Sequence, residues 1–185
     1  MPAIKPNRLR FASRRQVFRG RGVGSVVEAD LRFPDGSVHR YDYVVKRPFV
    51  VVVAVELGAV VLVSQHRYPQ RRETWELVKG GIERGEAPVS AARRELEEET
   101  GFRARRWRRI GKFVIAPGYF NQVGFVFLAQ GLFSGQAQAE LGGQRISVRQ
   151  VSIRRLRQLV ATGKLYDSTS LAGFWLAERH LPAAK

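Results

Sequence analysis

GGIERGEAPVSAARRELEEETGF, residues Gly80 to Phe102, carries the helix around which this chain of 185 residues is built. The chain has a formal net charge of +16 and only 16 acidic residues, yet eight of those lie between Glu73 and Glu99. Pro88 suits a first helical turn and Gly101 the position just past a helix end. Between them, Ala91 to Glu99 are nearly all good helix formers. At a helical period, Val89, Ala92 and Leu96 share an apolar stripe. Glu95, Glu98 and Glu99, spaced i, i+3, i+4, share the adjacent one. Like charges at that spacing repel, and neither Glu95 nor Glu98 has a basic residue four positions on. Three carboxylates converging without counter-charge suit a hard divalent cation such as Mg²⁺, which takes oxygen ligands.

A bare run of glutamates is more often a solvated helix face. Here the surrounding spacing decides otherwise. Gly80, then five residues, Glu86, seven residues, and Arg94-Glu95-Leu96-Glu97-Glu98-Glu99-Thr100-Gly101-Phe102 match G-x5-E-x7-R-E-U-x-E-E-x-G-U at every fixed position, U being aliphatic or aromatic. This resembles the Nudix box, and the chain looks like a Nudix hydrolase. The resemblance implies an α/β fold: a Nudix-type α/β/α sandwich with a mixed β-sheet, preceded by a small N-terminal antiparallel β region. It implies Mg²⁺-dependent cleavage of a nucleoside diphosphate derivative, with Mn²⁺ as an alternative metal. Glu95, Glu98 and Glu99 resemble the family's metal ligands, completed by the carbonyl of Lys79. Glu86 and Arg94 resemble the pair that braces the box loop against the helix. Gly80 and Gly81 let the backbone turn sharply beside a metal-bound phosphate.

The length suits one domain with a small appendage, and 44% hydrophobic content is ordinary for a globular chain. With no cysteine, disulfides and thiolate metal sites are excluded. No signal-peptide core or membrane span is legible, so a cytoplasmic enzyme is expected. The 32 lysines and arginines are widely spread. Their clusters lack the interleaved aromatics of a single-strand binder, so we read them as surface composition in preference to a nucleic-acid interface.

Residues Val17 to about Val45 read as strands joined by Pro34-Asp35-Gly36, a turn signal. Such a region ahead of the box resembles the N-terminal part of ADP-ribose pyrophosphatases, which implies a homodimer. The division is then 1–47, a β region that dimerises, and 48–185, the hydrolase domain. Phe49–Glu56 and Ala59–Gln65 are dense in valine and read as the two buried strands of a hairpin. In the ADP-ribose and nucleotide-sugar branch, an arginine and a glutamate before the box contact substrate. Arg67, for the diphosphate, and Glu76, for ribose or base, stand in those places. This chain departs from that branch at Leu77-Val78-Lys79-Gly80, where the branch carries L-P-A-G. Pro117, sixteen residues beyond Gly101, resembles the mark of the ADP-ribose pyrophosphatase subgroup. A glutamate a few residues later, the base or a further ligand in many relatives, is replaced by Asn121 or Gln122. Gln122 is retained as a substrate-side candidate, although an amide accepts no proton at neutral pH. Gly131 to Gln144 reads as a mobile loop with Glu140 its one acid. Ser152 caps a helix ending near Gly163. Asp167, Ser168 and Thr169 cap a terminal helix with Leu171, Phe174, Trp175 and Leu176 on its apolar face.

The reading that follows is hydrolysis of ADP-ribose to AMP and ribose 5-phosphate, with Glu98 as the base and Glu95 and Arg94 beside it. Two alternatives stand beside it. The net charge suggests removal of pyrophosphate from RNA 5′ ends. Asn121 and Gln122 suggest a sensor that keeps the fold and binds a nucleotide without hydrolysis.

Overall fold

The computed structural model describes residues 10–20, 22–135, 140–141 and 144–182. The side chain of Glu140 and much of the expected loop around it lie outside the described residues. The chain divides into two compact units, Met1–Arg47 with Val114–Gln122, and Pro48–Phe113 with Val123–Lys185. The Pro117 segment thus groups with the first 47 residues and not with the remainder of 48–185.

The first unit holds a three-stranded antiparallel sheet in the order β1 (Arg10–Gly20), β2 (Gly24–Arg32), β3 (Val38–Val45). β2 and β3 follow the sequence expectation, with Asp35 closing the turn by accepting from Ser37 N at 2.9 Å. β1 begins seven residues before Val17, where the arginines hid it. Two register shifts, between Phe11 and Ser13 and between Gln16 and Phe18, break its alternation. Polar cross-strand pairs replace an apolar face. Ser13 donates to Asp30 at 2.7 Å and Arg15 meets Glu28 at 2.9 Å.

The second unit is a seven-stranded mixed sheet of β4 (Phe49–Glu56), β5 (Ala59–Arg67), β6 (Arg72–Glu76), β7 (Val78–Gly81), β8 (Phe102–Val114), β9 (Val123–Ser134) and β12 (Ser147–Ser152). A ribbon of β10 (Glu140–Leu141) and β11 (Gln144–Arg145) stands apart. The main order is β12-β5-β4-β9-β8, with β6 on β5 and β7 on β4. The expected β4–β5 hairpin is real only at its turn. Val55 pairs with Val60 and Glu56 with Ala59. β4 then runs parallel to β9 and antiparallel to β7, while β5 takes β12 and β6. An all-apolar strand such as β4 has no solvent face, so it becomes central and is covered on both sides.

Helices supply that cover. α1 (Pro88–Thr100) lays Ala91, Ala92 and Leu96 on Val50, Val52, Val61, Val63 and Val78. On the other face α3 (Ser168–Ala177) comes so close that a Cβ at Gly173 would stand 2.9 Å from Val51 and Leu77. This is the expected α/β/α sandwich. The buried side of α3 is the expected one only in part, however. Thr169, Ser170, Gly173, Phe174 and Ala177 face inward while Trp175 is 76% exposed. Small and hydroxyl residues allow the close approach, and Ser170 Oγ accepts from Leu77 N at 2.8 Å. α2 (Ile153–Ala161) starts at Ser152, whose hydroxyl accepts from Arg155 N. Among the described residues no helix is long and apolar enough to cross a membrane.

Candidate active site

β7 sets the site, because its pairing with β4 places Lys79 opposite Val51 and Gly80 opposite Val50, directly under α1. Gly80 lies against the carboxylate of Glu95 so closely that a Cβ there would fall 1.9 Å from Glu95 Cδ. Only a glycine leaves room for that carboxylate. Gly101, at φ 70°, ends α1 in the left-handed conformation and donates its N–H to Glu97 O at 2.8 Å.

The helix face is not free of counter-charge, as its spacing had suggested. Arg94, four residues before Glu98, turns back over it. Its Nη1 donates to Glu95 Oε1 at 2.8 Å and to Glu98 Oε2 at 3.0 Å. Its Nε and Nη2 grip Glu86 at 3.1 Å each, and Nη2 also reaches Gly81 O at 2.9 Å. Glu86 in turn accepts from Glu83 N at 2.9 Å. One guanidinium therefore ties the box loop to the helix. The bonds from Arg94 hold Glu86 below the usual carboxylate range.

Glu95 and Glu99 answer oppositely. They are 7% and 5% exposed. Burial raises Glu95 despite Arg94. Burial, then the neighbouring charge of Glu95, pushes Glu99 up to about 8. Glu99 makes no ion pair among the described residues; its Oε2 accepts only a long bond from Lys79 N, 3.4 Å. As placed, no three acidic or histidine side chains among the described residues enclose a common point where an ion would sit, since Arg94 Nη1 stands between Glu95 and Glu98. The donor set nonetheless fits a hard cation. Three carboxylates share one guanidinium, a fourth, Glu99, has none, and a buried carboxylate that resists ionisation alone is stabilised by a metal.

The second cluster lies around the side chain of Lys79. Glu76, at 2% exposed, does not wait for a ribose but is saturated by protein. Arg67 grips both of its oxygens, at 3.0 and 2.5 Å, and Thr74 Oγ1 donates to it as well. Lys79 Nζ stands 2.8 Å from Glu76, 2.8 Å from Asp167 and 2.9 Å from Thr169 Oγ1. Burial opposes ionisation of Glu76 and Asp167, but these bonds outweigh it and hold both low. Asp167 also caps α3 by accepting from Ser170 N at 3.1 Å. Reading Asp167 as a cap was right and incomplete. The departure at Lys79 from the L-P-A-G pattern was the signal that a partner acid had to exist.

Pro117 and Gln122 belong to the first unit. There Gln122 Nε2 donates to Arg47 O at 2.8 Å and Asn121 Oδ1 accepts from Lys46 N at 2.9 Å. Tyr41 donates to Gly118 O at 2.6 Å. The two amides thus fasten this segment to the end of the N-terminal sheet.

Comparison with known proteins matches residues 45–169 to the NUDIX domain. The chain is 33% identical over 158 residues to an ADP-ribose pyrophosphatase of Bacillus subtilis, covering 84% of this chain and 85% of that protein. It is 28% identical, over the same shares, to a methanol dehydrogenase activator of Bacillus methanolicus. A solved structure, the crystal structure of an ADP compounds hydrolase, superposes with a TM-score of 0.85, at 21% identity, over 96% of each chain.

Proposed function

The chain belongs to the NUDIX domain family and is a hydrolase of nucleoside diphosphate derivatives, and from that premise we propose that its substrate is ADP-ribose, split to AMP and ribose 5-phosphate. One observation carries the reading: the Glu95 carboxylate of α1 is pressed onto Gly80, and the Arg67 guanidinium, held first by Glu76, also feels the charge of Glu99. The similarity over most of both chains to an ADP-ribose pyrophosphatase supports the choice of substrate.

Hydrolases of this family generally depend on a divalent cation. Here Mg²⁺, replaceable by Mn²⁺, would be held by Glu95, Glu98, Glu99 and the carbonyl of Lys79, where it would offset phosphate charge and acidify water. Glu98, the most accessible of the three carboxylates, takes the proton from the attacking water. Arg94 positions Glu95 and Glu98 relative to the loop. Arg67 offers its remaining N–H groups to the diphosphate, and Glu76 fixes the direction of that fork without itself meeting the ribose. A second copy of the chain covers the exposed β1, where Phe11, Val17 and Phe18 stand in solvent. Light scattering of the eluted protein tests that dimer, and a monomer at micromolar concentration overturns it.

The test of function is product identification from a panel of ADP-ribose, nucleotide sugars, nucleoside triphosphates and triphosphorylated RNA with Mg²⁺. AMP and ribose 5-phosphate, formed fastest from ADP-ribose, are expected. Preferential turnover of RNA, or ligand binding without any turnover, would overturn the assignment.

A further inference from the structure

At the far end of β4 from Gly80, six residues and roughly 20 Å along the strand, lies a cavity of about 480 Å³. The β4–β5 turn, β8, β9 and the segment after α3 line this open hollow, and Glu56, Leu57, Arg106, Arg179 and His180 are among its walls. The size suits a small molecule.

Its charges are out of balance in the sense opposite to the box. Glu56 is the one acid among the described lining residues, and its Oε2 is held by Leu132 N at 2.6 Å. The side chain of Arg106 makes no ion pair or hydrogen bond among the described residues. Arg179 has no acidic partner either. It donates from Nε to His180 Nε2 at 3.2 Å and from Nη2 to Ile110 O at 3.5 Å. That bond fixes the tautomer, because an imidazole accepting at Nε2 carries its proton on Nδ1 and donates there. Loss of hydration, then the charges of Arg108 and Arg179, hold His180 below its ordinary value, so the ring stays a neutral donor at pH 7. Two guanidiniums and an N–H donor in one concavity focus positive potential.

Leu57 adds an apolar element at the mouth. It is 97% exposed and sits at φ 46°, a conformation uncommon for any residue but glycine. Asn or Asp would fill this two-residue turn more cheaply. Leu57 thus places an exposed apolar side chain beside the basic lining.

We propose that this cavity binds a small phosphorylated metabolite, with Arg106 and Arg179 on the phosphate, His180 Nδ1–H as a third donor and Leu57 over the organic body. It is separate from the box and does not depend on the hydrolytic assignment. The test follows the ring signals of His180 by NMR, assigned with His180→Gln, in chelator-treated protein titrated with inorganic phosphate and then phenyl phosphate. Both should move the signals saturably, and phenyl phosphate should bind the more tightly. Arg106→Gln, at an exposed position that no contact needs for folding, should weaken both about tenfold; Leu57→Asn should erase the preference for phenyl phosphate. Glu98→Gln should change neither. An unmoved His180, or equal affinity in Arg106→Gln, overturns the proposal. So does displacement of the signals by a short RNA but not by phosphate, which would make the surface a nucleic-acid contact instead.

Discussion

Two ionic clusters meet at β7, one reached from the side chain of Lys79 and one built against Gly80, and they differ in charge balance. Around Lys79, two cations, Arg67 and Lys79, face buried Glu76 and half-buried Asp167, and both acids are held low. Against Gly80, the single cation Arg94 faces Glu86, Glu95 and Glu98, with Glu99 unpaired beside them. The first cluster is complete in charge without any ligand, although Asp167 Oδ2 is left buried without a hydrogen-bond partner. The second is not, and buried charge left without compensation is costly unless a ligand supplies it. Under the proposed function the second cluster is the reaction centre, and the first is the scaffold that holds Arg67 beside it.

Breaking the incomplete cluster should remove chemistry and leave the fold. Glu98→Gln is expected to lower turnover of ADP-ribose about a thousandfold, the scale of a lost general base, with KM and Tm little changed. Turnover within threefold of the parent would move the base elsewhere. Breaking the complete cluster should do the reverse first. Lys79→Met leaves Glu76 and Asp167 short of a cation and should cost about 3 kcal/mol of stability, as loss of one buried partner does. The double change Lys79→Met with Asp167→Asn should recover part of that loss in denaturant titrations. An additive double variant would show that the pair does not interact. Gly80→Ala tests the boundary between the clusters. The added methyl must push the Glu95 carboxylate aside, and a displacement of about 1 Å at a reacting site costs roughly a hundredfold in rate. Full activity in Gly80→Ala would mean that Glu95 need not lie where it is.

The incomplete cluster was almost wholly legible in the sequence, and the complete one was not. α1, its proline start, its glycine end and its acidic stripe are local features with a fixed period, so spacing places them. The same local reasoning failed at Arg94, because it looked four residues forward from each glutamate and the partner lay behind. Lys79 and Asp167 are 88 positions apart, a separation that no periodicity reports. β1 was missed because two register shifts and polar cross-strand pairs removed the alternation by which strands are read. The inward face of α3 was read only in part: Phe174 is buried as expected, but Thr169 and Ser170 are buried by hydrogen bonding and close approach, not by apolarity.

Acid and base should pull the two clusters apart, though with a smaller effect than any substitution. Glu99 has a folded pKa, about 8, above its unfolded value. Protons are therefore bound more tightly by the folded state, and in cation-free protein its contribution to stability is lost as pH rises from about 4.5 to 8. Glu76 and Asp167 have folded values below their unfolded ones, so their contribution is present above those unfolded values and is lost as pH falls further. The chelated protein should therefore be most stable near pH 5, declining on either side. With Glu99 among the metal ligands, as proposed, Mg²⁺ needs that carboxylate ionised, so its apparent affinity should rise about tenfold between pH 7 and pH 9 as the proton is lost. Added Mg²⁺ should lift the alkaline side of the Tm profile and leave the acid side alone, because the cluster around Lys79 already holds its own cations. A chelated profile flat from pH 5 to 8, or a rise in Tm with Mg²⁺ that is equal at pH 4 and pH 8, would mean that the two clusters are not separate in charge as their contacts describe them.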